Sequence, residues 1–168
     1  MRFAVWLLAA KCSATQWVQQ GSDVLEVTTS ERTGFDVSMS RDGMRLAVGA
    51  PNFAEQTGVA RVYDFNGIAW TLIGELQGPH VRSEAGTCVA LSPDGTRVAI
   101  GAPYYSPVRA DVSFSYSMLY SGDADVNRGQ VQVFEYVTTT GSWQQLGNSI
   151  VGDANDDYSG QGLALSED

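Results

Sequence analysis

The sequence predicts an all-β fold. Three observations carry the prediction. A block of alternating strand-like residues is duplicated, glycine turns recur at matched positions in the copies, and no stretch has helical periodicity. GFDVSMSRDG at 34–43 matches GTCVALSPDG at 86–95, and MRLAVGAP at 44–51 matches TRVAIGAP at 96–103. Further on, GVARVYDF at 58–65 matches GQVQVFEY at 129–136, and GQGLALSED at 160–168 opens a third copy. Self-similarity of this kind is read before any single element, because it decides the architecture.

Each copy reads as four short strands. Phe35, Val37 and Met39 alternate with Asp36 and Ser38, the period of a half-buried strand. Arg41-Asp42-Gly43 and Pro93-Asp94-Gly95 supply tight turns, since glycine accepts positive φ without steric cost. Leu46 and Val48, matched by Val98 and Ile100, mark the second strand, and 59–65 the third. Asn66-Gly67 has the composition of a two-residue type I′ hairpin, after which a fourth strand starts near Trp70. Trp70 and Trp143 close the two copies, and Trp17 stands 17 residues ahead of Gly34, as Trp143 stands 17 ahead of Gly160. The first period, Gly34 to Gly86, is 52 residues; the second, Gly86 to Gly160, is 74, and the excess of 22 falls in one loop before Gly129. Four strands at such a period are the signature of propeller blades. The expected architecture is a partial β-propeller of four-stranded antiparallel blades, about two complete, with partial blades at both ends.

The domain reading follows. Residues 1–16 are a signal peptide or the end of a preceding blade: Arg2, the apolar run 3–10 and the small residues 12–14 suit a targeting segment, and 3–8 suits a strand leading to Trp17. Residues 17–69 form repeat 1, 70–142 repeat 2 with an insert at 104–128, and 143–168 a truncated repeat 3. Four blades, the usual minimum, would need about 208 residues at this period. A chain of 168 residues is therefore expected to be a fragment needing the remaining blades of a longer chain, or one that completes its ring by oligomerising.

Composition excludes several classes. At 43% hydrophobic the chain is too apolar for disorder, and no window approaches the ~20 apolar residues of a membrane-spanning helix. A net charge of -9 argues against a nucleic-acid partner, which would require a basic surface. The acidity is local: residues 121–168 hold 8 acids and one base, Arg128.

The Gly34-Phe35 start, Val48-Gly49-Ala50-Pro51 and its copy Ile100-Gly101-Ala102-Pro103 resemble FG-GAP repeats, the units of the propeller at the amino end of integrin α chains and of many secreted microbial and algal proteins. Ser40, Ser92 and Ser166 before the Asp-Gly turns, with tryptophan at the blade end, are similar to the non-integrin branch. The resemblance covers about residues 17–168 and implies an extracellular or cell-surface binding or adhesion module whose blade loops contact protein or glycan. It does not specify the ligand, because propellers host many functions. No Asn-X-Ser/Thr sequon supports secretion independently.

Candidate sites are few. Asp123, Asp125 and Asn127 place oxygens at i, i+2 and i+4, a spacing that suits Ca²⁺, a hard cation that takes 6–8 oxygen ligands. The resemblance puts calcium loops at this place, between Gly-Ala-Pro and the next strand. The family's glycine and acid at the sixth and ninth loop positions are here Arg128 and Val131, so a solvated loop is the competing reading. The equivalent loop 52–57 is short, holds only Glu55 and is expected not to bind. Asp153, Asn155 and Asp157 repeat the spacing on the other side of the blade, where turn chemistry is the expectation. The insert carries Tyr104, Tyr105, Tyr116 and Tyr120, a composition found in adaptable binding loops and also in lineage-specific disordered insertions. His80 is the only histidine and is expected to be solvated; Cys12 and Cys88 are expected to be unlinked.

Enzyme signatures are poor. Tyr158-Ser159-Gly160-Gln161-Gly162 lacks the first glycine of a nucleophile elbow, and its glycines match strand starts in the other copies. No phosphate loop or dinucleotide fingerprint is present, and no catalytic residue is assigned. The expected function is non-catalytic binding; the alternative is a fragment of a propeller-scaffold enzyme, a glycan hydrolase or lyase.

Overall fold

Strand formation follows the duplicated pattern. The computed structural model describes residues 19–24, 30–107 and 126–167. The first antiparallel sheet runs in sequence order through β1 (Val37–Met39), β2 (Arg45–Ala50), β3 (Val59–Phe65) and β4 (Trp70–Gln77). The second runs through β5 (Cys88–Leu91), β6 (Arg97–Ala102), β7 (Gln130–Val137) and β8 (Ser142–Gln145), and β9 (Ile150–Val151) also pairs with β7. The chain is all-β, and the described residues form no closed barrel or ring.

Register is matched between copies. Val37 opposes Val48 in the first sheet, and Val89 opposes Ile100 in the second. The turns match in detail as well. The Ser40 hydroxyl donates to Asp42 and accepts from the Arg45 N–H, as Ser92 does with Asp94 and Arg97. Gly43 and Gly95 sit at φ 72° and 75°, the left-handed conformation expected of them. The fourth strands differ. β4 is continuous with one register shift, whereas its counterpart is broken between β8 and β9, with Gly147 at φ 70° in the gap.

Two expectations are corrected. Asn66 and Gly67 do not form a two-residue type I′ hairpin. Phe65 pairs with Trp70 across residues 66–69, and the Asn66 side-chain oxygen accepts from the N–H groups of Ile68 and Ala69 (both 2.9 Å). The asparagine thus organises a four-residue loop with its side chain, and only Gly67 has positive φ. In β1 the period is two, but the polar face makes the intersheet contact. Asp36 and Ser38 accept from the N–H groups of Val89 and Leu91 (2.8 and 2.9 Å), while Phe35 and Val37 stay exposed. These side chains satisfy an edge of β5 that would otherwise present unpaired donors.

The main core lies between the sheets: Ala47, Ala60, Val62 and Leu76 meet Val89, Leu91, Val98 and Ile100, flanked by Ile73 and Trp143. A second cluster of Val24, Leu46, Val48 and Tyr63 covers the opposite face of the first sheet. β2 is therefore buried on both faces, which explains its unbroken run LAVGA where an exposed face would demand alternation. Ala47 and Gly49 keep that face thin enough for the following unit: a Cβ at Gly49 would stand 2.9 Å from the carbonyl carbon of Gly86.

Candidate functional site

At one end of the sheets, three loops converge: the lead into β1, the β2–β3 loop and the β4–β5 connection. Each unit begins on a glycine of positive φ, with further left-handed residues two and four positions earlier. Ser30, Arg32 and Gly34 (φ 83°, 58° and 84°) are matched by Arg82, Glu84 and Gly86 (65°, 52°, 85°) and by Asp156, Tyr158 and Gly160 (59°, 49°, 96°). The β2–β3 loop adds Ala54, Glu55 and Gln56 at φ 46°, 57° and 66°, so its single turn Phe53–Gln56 is left-handed rather than α-helical. Such residues cost roughly 1–3 kcal/mol each and persist only where surrounding contacts hold them.

Backbone hydrogen bonds supply that hold, and the two units repeat them. Glu84 N–H donates to the Gln56 carbonyl (2.8 Å) and Ala85 N–H to that of Thr57 (3.1 Å). Tyr158 and Ser159 do the same to Asn127 and Arg128 (3.0 and 3.1 Å). Gly58 bridges Ala85, and Gly129 bridges Ser159, both in parallel sense.

The loops of the first unit enclose an open cleft of about 500 Å³, walled by Ser30, Asn52, Glu55, Gln56, Val81 and Arg82. Its polar wall can donate and accept hydrogen bonds, and exposed Val81 adds an apolar edge. A buried ion pair anchors two of its three loops. Arg61 Nη1 donates to Glu31 (2.8 Å) and its Nε to Glu75 (2.7 Å), while both Arg61 and Glu31 are fully buried. Glu31 adjoins Ser30. The Arg61 guanidinium lies 5.2 Å above the ring of Phe53, which adjoins Asn52. Burial opposes the charge on Arg61, but the two glutamates outweigh it and hold its pKa above the ordinary arginine value. Among the described residues Arg61 Nη2 has no acceptor. Burial also raises the Glu84 carboxyl above the usual glutamate range, with Arg32 pulling the other way.

The predicted metal trio is only partly within the described residues: Asp123 and Asp125 lie outside them. Asn127 sits at φ 51°, and its side-chain N–H₂ donates to Asp156 (3.0 Å) and approaches the Tyr158 hydroxyl (3.3 Å). Arg128 turns to the carbonyl of Gly152 (2.6 Å). In the second run Asp157 accepts from the Ala154 N–H (2.8 Å), a local turn contact, whereas Asn155 reaches another loop and accepts from the Val126 N–H (3.1 Å). Residues 126–128 and the loop of Asp153, Asn155 and Asp157 are thus neighbours. Among the described residues no three His, Cys, Asp or Glu side chains gather around a common point.

The remaining candidates separate. His80 is exposed and stacks on Tyr105 (5.5 Å between ring centres). Ser83, three residues on, points its hydroxyl to the carbonyls of His80 and Thr57 (2.7 and 3.0 Å), so it does not meet the imidazole as a nucleophile meets its base. Cys88 is a free thiol whose pKa is raised by burial and by Asp36; Cys12 lies outside the described residues. Tyr104 packs edge-on against Tyr158, while Tyr116 and Tyr120 lie outside the described residues. The left-handed positions and the Arg61–Glu31 pair escaped sequence reading. Arginine, glutamate and tyrosine are not residues that advertise positive φ, and only alignment on Gly34, Gly86 and Gly160 would have placed them together. A scan against protein-family models and a search of curated proteins both return no match to this sequence.

Proposed function

We propose that the chain is a non-catalytic, extracellular or cell-surface binding module of the FG-GAP type, built as part of a β-propeller, that contacts a protein or glycan through the loops at one end of its sheets. The observation that carries this reading is the cleft walled by Asn52, Gln56, Val81 and Arg82. Its loops keep left-handed backbone at non-glycine residues, a cost that proteins retain mainly at ligand-binding and switch regions. Arg82, Gln56 and Asn52 together offer the fork, amide donors and amide acceptors that recognise hydroxyl- and carboxylate-bearing ligands. The matched Gly-Ala-Pro segments, Ser-x-Asp-Gly turns and terminal tryptophans support the family reading. The test is binding of the whole chain to an immobilised glycan panel and to extracellular-matrix proteins. Loss of the retained ligand in Arg82→Ala and Gln56→Ala supports the reading, and retention by both variants removes the cleft from it. Calcium at Asp123, Asp125 and Asn127 belongs to the same reading, and isothermal titration of the chain against its Asp123→Ala variant decides it.

A further inference from the structure

Asn66-Gly67 is the one asparagine–glycine pair in the sequence; the other four asparagines precede Phe53, Arg128, Ser149 and Asp156. Both residues are exposed, in the loop that joins β3 to β4. The Asn66 side-chain oxygen accepts from the N–H groups of Ile68 and Ala69, both at 2.9 Å. Two donors on one carbonyl oxygen stabilise negative charge that builds there, so they open the side-chain amide carbon, Cγ, to a nucleophile. The next backbone nitrogen in the chain, that of Gly67, is unencumbered. Its N–H makes no hydrogen bond among the described residues, and nothing lies within 4 Å of the position a Cβ would take there.

The chain carries its own contrast. Asp42-Gly43 and Asp94-Gly95 also set a glycine after a side-chain carbonyl, but there the glycine N–H is engaged: Gly43 donates to the Ser40 carbonyl (3.0 Å) and Gly95 to that of Ser92 (2.8 Å). The serine hydroxyls also hold both aspartates below the ordinary carboxyl range, so they stay ionised and resist attack. Only at Asn66 do a neutral, polarised carbonyl and a free glycine nitrogen coincide among these three pairs.

We propose that the β3–β4 loop is a self-modifying site, at which Asn66 deamidates through a cyclic imide closed by Gly67. Hydroxide takes the Gly67 N–H proton, and the nitrogen attacks Asn66 Cγ. The carbonyl electron pair moves onto Oδ1, where the Ile68 and Ala69 N–H groups receive the charge. Collapse restores the carbonyl and breaks the Cγ–Nδ2 bond, and the amide nitrogen leaves as ammonia with a proton from water. Water then opens the imide at either carbonyl. Opening at Cγ gives aspartate, whose carboxylate keeps the two donors and holds them more strongly. Opening at the main-chain carbonyl gives isoaspartate, which runs the backbone through Cγ. That extra carbon falls between Phe65 and Trp70, the pair that closes the hairpin.

Incubation of the whole chain in mildly alkaline buffer, folded and in denaturing urea, tests the proposal. Peptide mass spectrometry reads the amide-to-acid conversion, and an isoaspartate-specific methyltransferase reads the rearranged product. Asn66 is expected to convert faster in the folded chain than in the unfolded one, ahead of the other four asparagines and without isoaspartate at Asp42 or Asp94. Ala69→Pro removes one donor and should slow the folded chain by roughly tenfold or more, the effect of one hydrogen bond to a developing charge. If that variant does not fold, the comparison of folded and unfolded unsubstituted chain decides alone. Conversion that is no faster in the folded chain, equal conversion at another asparagine, or an undiminished rate in folded Ala69→Pro overturns the proposal.

Discussion

The indole of Trp143 lies directly over Gly74, so the absence of a side chain at one residue makes room for the largest side chain of the next unit. A methyl group at Gly74 would stand 2.8 Å from Nε1 of that ring. Gly74→Ala should therefore destabilise the fold by about 1–3 kcal/mol, the usual cost of overpacking. Urea unfolding would show a lower midpoint at unchanged slope. In a Trp143→Ala background the same substitution should cost almost nothing, because the atom it collides with is gone. A cost that persists there would mean that strand geometry, not the indole, demands glycine.

Gly49 and Gly101 make a stricter requirement. A Cβ at either would press on the carbonyl group of the glycine that opens the next unit, 2.9 Å from the carbon of Gly86 or 2.8 Å from that of Gly160. Backbone cannot rotate aside as a side chain can, and Gly86 is itself fixed by the hydrogen bond from its N–H to Gly101 O (3.0 Å). Gly49→Ala and Gly101→Ala should each cost at least about 3 kcal/mol, beyond the Gly74 value. Thermal unfolding of the three variants side by side checks the order.

These glycines show why the fold was legible and the site less so. The duplicated block carried the strands because its alternation and Asp-Gly turns are local signals, and local pairing in sequence order needs nothing more. Gly49 was visible only as part of a repeated Gly-Ala-Pro string; its reason, a neighbouring carbonyl, is a contact between units. The same holds for β1, where Asp36 and Ser38 looked like the solvent face and instead cap the edge of β5. The break between β8 and β9 had no counterpart in the first copy to reveal it. In the cleft, Arg82 and Gln56 carry no motif. They become neighbours because the backbone hydrogen bond from Glu84 to Gln56 joins two loops.

Arg61 and Glu31 form an ion pair at 2.8 Å with both side chains almost wholly removed from solvent. Breaking such a pair from one side strands a buried charge. Arg61→Met should cost about 3–5 kcal/mol, and Glu31→Gln less, since Glu75 still faces Arg61. The paired replacement Arg61→Met with Glu31→Leu should recover much of the loss, because an apolar pair needs no charge compensation. Denaturant unfolding of the unsubstituted chain, Arg61→Met, Glu31→Leu and the paired variant closes the cycle and gives the coupling, and additive single effects would contradict a mutual dependence.

Burial acts on Glu84 in the opposite sense to its partner Arg32, raising the folded-state carboxyl above its ordinary range. A carboxyl of raised pKa stabilises the fold only while protonated, so its penalty appears as pH rises through the carboxylate range and is complete at neutrality. Glu84→Gln should thus raise the melting temperature at pH 7 and leave it unchanged well below that range. A gain at both pH values would assign the effect to packing instead of charge.

Asp94 titrates the other way. The Ser92 hydroxyl (2.6 Å), then the Thr96 N–H and the Thr96 hydroxyl, all donate to its carboxylate and lower its pKa from 3.8 to about 2. A folded-state pKa below the unfolded one contributes stability that is fully present above the unfolded value and is lost as pH falls from about 4 towards 2. Carbon-detected titration should place the Asp94 midpoint near 2 in the whole chain and nearer the ordinary aspartate value in Ser92→Ala. The turn is solvent-exposed, so the accompanying change in stability should be small and should shrink with added salt. Asp42 makes the same bonds to Ser40 and to the Met44 N–H but lacks a threonine hydroxyl, since Met44 replaces Thr96. Its midpoint should fall below the ordinary value but stay above that of Asp94, and the reverse order would show that the threonine hydroxyl is not the deciding donor.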